Sequence, residues 1–264
     1  MMPSLWMTLA AVGLQIAMFA VLLVFSIRLI RESGKSITAV FLAFMIALWL
    51  LTDLYWVIFD LMRPDSLMPF AANEIGEAAA FLMMAAVLSS VISHGAYKAG
   101  LQAAGAILFS VCNAALWIAW SGEWIQDMMI GASFTFLLYT LARCLKVRYA
   151  LSRGEWIGLG VGCALLVLGE GLTFIVSDGL KTAIDSSCSL LMAAGIIFWA
   201  WKNGKTWKAA ASPDRMLCLS FALLCWAITS KYLSEGVWYL AFMTVETITM
   251  PFVFLSVRKA VAVE

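Results

Sequence analysis

Nine apolar stretches alternate with short polar joints along this chain, near residues 5–27, 36–60, 71–93, 101–121, 124–143, 156–177, 182–201, 216–236 and 238–257. A helix needs about 20 apolar residues to cross the hydrocarbon core of a bilayer, and each stretch is close to that length. The pattern predicts an all-α polytopic membrane protein of about nine transmembrane helices. It forms one integral membrane domain over residues 1–264, a single helix followed by four hairpins. The first stretch has no basic segment ahead of it, and Arg28 and Arg31 follow rather than precede its apolar run. It reads as a retained anchor, not a cleaved leader.

The charges give the spans a direction. When the nine stretches run in alternate senses, Arg28, Arg31, Lys35, Lys98, Arg143, Lys146, Arg148, Arg153, Lys202, Lys205, Lys208, Arg215, Arg258 and Lys259 fall on one side. Only Arg63, Lys181 and Lys231 fall on the other. Cytoplasmic loops retain Lys and Arg, so the expected topology is N-terminus out and C-terminus in, in a bacterial inner membrane. Most carboxylates lean toward the outer half. Trp6, Trp56, Trp117, Trp120, Trp124 and Trp238 are expected near the outer boundary, and Trp156, Trp199, Trp201 and Trp207 near the inner one. That depth suits a ring that is apolar except for one wet N–H. Trp49 and Trp226 lie deeper and read as packing residues with a satisfied indole.

Composition agrees. Hydrophobic residues make up 64% of the chain and charged residues 12%, against roughly 25% charged in an ordinary soluble domain. The partner implied is the lipid bilayer, and nothing points to nucleic acid. Six cysteines all lie within or at the ends of spans, without a CxxC pair, and read as free thiols used in packing. A single histidine, His94, falls in an inner loop, which excludes bis-His haem within the membrane and a His-rich zinc or copper site. The loops are too short to fold as a domain and hold no Gly-rich phosphate loop, so no cofactor can be named. The run Gly158-Leu159-Gly160-Val161-Gly162 carries a GxxxG spacing that favours close helix approach, inside one chain or in a dimer.

Chemistry is expected at the acids set inside spans. Asp53 lies about two turns below the outer end of the second stretch, Glu77 about two turns into the third, Glu170 similarly deep in the sixth, and Glu246 deeper in the ninth. An Asp at a helix centre costs roughly 2.5–3.5 kcal/mol on insertion scales, so these side chains should face the bundle interior, a wet cavity or a donor. Asp53 and Asp60 share a helix face with Trp56 between them, and Glu74 and Glu77 share a face on the next helix. The first hairpin can therefore present four carboxylates with Tyr55 or Trp56 to an outward-opening cavity, joined there by Glu246. Acids and aromatic faces in a water-poor pocket suit a cationic solute or protons. A structural reading stands beside this one. Arg63 can neutralise an acid, and Lys231 can pair with Glu235 or reach Glu246 across the last hairpin. Pro251, five residues after Glu246, can free backbone carbonyls near that acid.

The segment Asp53-Leu54-Tyr55-Trp56, followed by Pro69-Phe70-Ala71-Ala72-Asn73-Glu74-Ile75-Gly76-Glu77 and Phe81-Leu82, resembles a recurrent hairpin of bacterial sensory membrane modules. Those multi-helix modules precede diguanylate cyclase or histidine kinase domains. The resemblance covers residues 53–82 and implies sensing of a ligand or of membrane state, with a shared structural use of Asp53, Trp56 and Glu77. This chain carries no output domain, so the output would pass to a separate partner subunit.

The expected function is accordingly a sensor- or transporter-like binding protein, more a binder than an enzyme, with Asp53, Trp56, Asp60, Glu74, Glu77 and Glu246 lining the site. An alternative is a quinone-binding membrane anchor that docks the catalytic subunit of a respiratory oxidoreductase. A third is an intramembrane enzyme acting on lipid-linked substrates, for which the nearest acid pair is Glu123 with Asp127 at the outer rim.

Overall fold

The structure, a computed structural model, describes residues 5–34, 36–63, 72–91, 100–208 and 213–262. Lys35, the turn beyond Arg63 with Pro69, Phe70 and Ala71, His94 and Lys98 lie outside the described residues, as do the side chains of Asn73, Lys205, Trp207 and Lys208. Among the described residues every regular element is a helix: α1 Leu5–Glu32, α2 Ile37–Met62, α3 Ala72–Val91, α4 Leu101–Ser121, α5 Trp124–Cys144, α6 Arg153–Thr173, α7 Asp178–Lys208, α8 Pro213–Tyr232 and α9 Gly236–Val261. A π-helical turn, Leu145–Tyr149, extends α5. Eight of these helices are long and apolar enough to cross a membrane, the architecture of a multi-pass membrane protein.

The helix outside that set is α8. It carries Arg215 and Lys231 near its two ends, and Ser220, Thr229 and Ser230 between them are buried. Leu217, Phe221, Leu224 and Ile228 are buried too, so α8 is covered on nearly every side. A helix enclosed all round can carry polar groups inward, where they find partners. Ser220 and Ser256 do so, with hydroxyl oxygens 2.8 Å apart.

The chain divides into two compact units, one built on Val12–Cys144 and the other on Leu145–Ser256. In the first, a relay of rings holds five helices. Phe19 of α1 meets Trp49 of α2 at 5.7 Å between centroids, and Trp49 meets Phe81 of α3 edge-on at 6.0 Å. Phe81 then meets Phe134 of α5 at 5.4 Å, and Phe134 meets Trp117 of α4 at 6.1 Å. Edge-to-face and tilted pairs at these separations add to the burial of the rings themselves. Trp117, expected at the membrane boundary, is therefore a core residue at 8% exposure. Trp6, Trp120, Trp124 and Trp201 are exposed.

In the second unit, Leu166, Cys188, Met192, Leu233 and Phe242 form an apolar core. Trp226 packs on it and donates its indole N–H to the carbonyl of Met192 at 2.8 Å, which satisfies a deep tryptophan. None of the six cysteines forms a disulfide.

Small residues set the helix crossings. A Cβ on Gly131 of α5 would fall 2.6 Å from the Cβ of Ala114 on α4, and one on Gly195 of α7 would fall 3.1 Å from the Trp226 ring. Gly169 of α6 lies equally close against the Cys188 side chain of α7. The glycines of the GxxxG run differ: Gly158, Gly160 and Gly162 have no neighbour within 4 Å. Their helix closes on nothing within the described residues at that run.

Candidate functional site

At Gly76, α3 comes very close to α2. A Cβ on Gly76 would collide with the Thr52 hydroxyl oxygen, which donates a hydrogen bond to the Leu48 carbonyl at 3.0 Å and is fixed by it. Only glycine lets α3 approach α2 so closely here. At the other end of the same helices the Thr38 hydroxyl donates to the Ser90 hydroxyl at 2.9 Å. Asp53 and Glu77 each follow the crossing pair by one residue, and both are half-buried.

The rest of the predicted α2 face is graded by depth. Tyr55 and Trp56 are half-buried, and Asp60 is exposed. Tyr55 is stacked on Phe59, with 6.3 Å between centroids and 26° between planes. Arg63 is exposed and caps α2, its backbone N–H donating to the Phe59 carbonyl at 2.8 Å.

Glu74 and Glu77 have further acid company that the sequence reading set apart. The Glu74 carboxylate lies in the field of Glu123, Glu77 and Asp127. Its Oε2 is buried and has no hydrogen-bond partner among the described residues. The turn between α4 and α5 orients its own acids. Gly122 ends α4 with φ +76°, a conformation that suits a residue without a Cβ. This lets the Ser121 hydroxyl donate to Asp127 while accepting the Glu123 backbone N–H at 2.9 Å. Because α3 packs against α5 as well as α2, the acids of two hairpins share one neighbourhood. Glu123 and Asp127 thus lie in one neighbourhood with Glu74 and Glu77, two of the predicted site residues. The sequence places an acid early in both α3 and α5, which does not by itself say that these two helices pack together.

Glu246, the remaining predicted site residue, belongs to the second unit. It is fully buried, and its Oε2 lies 3.1 Å from the Lys231 ammonium, which is itself 6% exposed. Lys231 also lies over the neighbouring Tyr232 ring, 5.1 Å from the centroid. The helix carrying Glu246 continues through Pro251 without interruption. Glu170 is half-buried and hydrogen-bonded to Cys188, in the field of Asp185, Glu235 and Lys181, and its Oε1 is buried without a hydrogen-bond partner among the described residues. Among the described residues no group of three or more His, Cys, Asp or Glu side chains is arranged to hold a metal ion.

Fold and site together define an all-helical, multi-pass membrane protein with acids held inside its spans. No protein-family model, curated protein or solved structure matches the chain.

Proposed function

We propose that the protein is a multi-pass binding protein of a bacterial inner membrane, N-terminus out and C-terminus in, that senses or carries a cationic solute or protons. The observation that carries this reading is the position of Glu74 among Glu77, Glu123 and Asp127, with one carboxylate oxygen buried and no donor to it among the described residues. Repelling carboxylates, with Glu74 half-buried among them, are relieved by a cation or by protons. Asp53, Trp56 and Asp60 extend the same α2–α3 hairpin toward its outer end, where an aromatic face adds attraction for an organic ammonium group. Glu246 is the corresponding acid of the second unit, and there Lys231 supplies the positive charge from within. The basic residues gathered on one side of the spans support the orientation.

The test is a thermal-shift series on purified protein in detergent, with inorganic monovalent and divalent cations and small amines as ligands. A member of one of these classes should stabilise the wild type, and Asp53→Asn with Glu77→Gln should abolish that stabilisation. A double variant that responds as the wild type does would remove this reading.

A further inference from the structure

The buried face of α4 is polar where its exposed face is apolar. Its buried residues are Ala103, Ser110, Asn113 and Trp117, whereas Leu101, Ile107, Leu108, Val111 and Trp120 are exposed. Ser110 is 1% exposed and Asn113 0%. A spanning helix turns its hydrocarbon to lipid and its polar groups inward, and inside the bundle each polar group then needs a partner.

Neither residue is fully supplied. The Asn113 amide nitrogen donates to the Phe109 carbonyl at 2.9 Å, one turn back on its own helix. That bond fixes which end of the amide is nitrogen, so the other end is the acceptor Oδ1. This oxygen and the Ser110 hydroxyl are both buried with no hydrogen-bond partner among the described residues. Three residues apart, they share one helix face. Trp117 and Ser121 continue that face toward the α4–α5 turn in steps of four, and Ser121 donates to Asp127. One stripe of α4 thus runs from the acids around Glu74 to two buried, unsatisfied oxygens.

The facing helix adds a third oxygen. α4 and α5 run antiparallel across a short turn and meet where a Cβ on Gly131 would collide with that of Ala114. One turn farther from the α4–α5 turn, this register sets Ser110 level with Thr135 of α5. The Thr135 hydroxyl donates to the Gly131 carbonyl at 2.6 Å, which leaves its oxygen lone pairs as acceptors. Amide and hydroxyl oxygens take up no proton at ordinary pH, but their dipoles can replace the water around a hard cation. A divalent ion would call for carboxylates beside them. α4 has no acid, and Asp127 of α5 lies about two turns from Thr135. The close approach at Gly131 favours a bare ion over an organic ammonium group.

We infer that Ser110, Asn113 and Thr135 bind a dehydrated alkali-metal ion that enters past the acids around Glu74. The inference deepens the cation-binding reading and rests on it for the entrance.

Thermal shift and isothermal titration of the whole chain in detergent test it, with lithium, sodium and potassium chlorides set against choline chloride at constant ionic strength. At least one alkali ion should stabilise the wild type where choline does not. Ser110→Ala and Asn113→Leu should each weaken its binding roughly tenfold or more, the loss expected for one contact to a charge. Ser110→Ala, the smaller change, decides the matter if Asn113→Leu does not fold. Asn113→Asp adds a charge at the same atoms and should shift preference from the alkali ion to calcium, which a packing role would not produce. Wild-type alkali affinity in the Ser110 and Asn113 variants, with loss in Asp53→Asn with Glu77→Gln, would overturn the inference and leave the proposed function standing. Loss in the Ser110 and Asn113 variants alone would keep this site and remove the acidic one. A wild type that ignores all three alkali ions would overturn the inference, whatever amines or divalent ions do.

Discussion

The Lys231 ammonium lies 3.1 Å from a Glu246 carboxylate oxygen, the two side chains being 6% and 0% exposed. Each charge would be severely penalised alone in that environment, and each removes most of the other's penalty. Such a pair adds little net stability against a well-packed apolar replacement, yet breaking it from one side strands a charge. Lys231→Met or Glu246→Gln alone should therefore destabilise the protein by about 3–5 kcal/mol. The combination Lys231→Met with Glu246→Leu should recover most of that loss. Thermal unfolding in detergent, followed by tryptophan fluorescence, checks this, and additive losses in the double variant would show that the two groups are not coupled.

The helices were legible because they depend on local composition. Each of the nine apolar stretches falls on one of α1–α9, of which eight among the described residues are long and apolar enough to cross a membrane, and Asp53, Glu77 and Glu246 were singled out by charge inside a stretch. The partner of Glu246 was less determinate, since Lys231 could equally have turned back to Glu235 at helical spacing. The approach of Glu123 and Asp127 to Glu74 was not legible, because it depends on α3 packing against α5, a helix that is not its hairpin partner. Nor was the burial of Trp117, whose place near the end of a stretch looks like a boundary until Phe134 is brought beside it. The π-helical turn was hidden for another reason. Lys146 and Arg148 make it read as loop, while Leu145 within it is buried.

Two glycines in apparently similar helical positions should respond oppositely to a larger side chain. Gly76 abuts Thr52, whose hydroxyl is committed to Leu48, and the Leu48 carbonyl itself is 3.6 Å from a built Cβ. Gly158 has nothing within 4 Å. Overpacking a tight contact costs typically about 1–3 kcal/mol. Gly76→Val should therefore lower stability by that amount, whereas Gly158→Val should leave the stability of the isolated chain within about 0.5 kcal/mol, as for an unconstrained surface change. Parallel thermal unfolding of the two variants separates them. Equal losses would place a neighbour against Gly158.

The start of α6 is held twice by one side chain. The Glu155 carboxylate accepts the Ser152 backbone N–H at 2.9 Å and pairs with Lys202 on α7. Ser152→Ala removes the reciprocal cap, in which the Glu155 backbone N–H donates to the Ser152 hydroxyl at 3.3 Å, and should cost about 1 kcal/mol. Glu155→Gln keeps a cap acceptor and loses the ion pair. Because Glu155 and Lys202 are partly exposed, that loss should stay below about 1 kcal/mol and shrink in high salt. A salt titration of the unfolding midpoint in both variants distinguishes cap from pair.

The hydrogen bond from Ser121 to Asp127 makes a local prediction about the acidic neighbourhood of Glu74. Ser121 donates to Asp127 and accepts from the Glu123 N–H, so its hydroxyl links two acids across the turn. Ser121→Ala removes both bonds at an exposed turn, with an expected loss of stability of about 0.5–1.5 kcal/mol per bond at most. It also frees the Asp127 carboxylate to turn away from Glu74. If the carboxylates of α3 and α5 act together on a cation, the variant should weaken cation-induced stabilisation by more than it lowers the midpoint without ligand. Isothermal titration with the cation found in the thermal-shift series measures the first, and unfolding without ligand the second. Equal ligand affinity in Ser121→Ala and wild type would separate the α4–α5 turn from the binding site and leave Asp53, Glu74 and Glu77 as its acids.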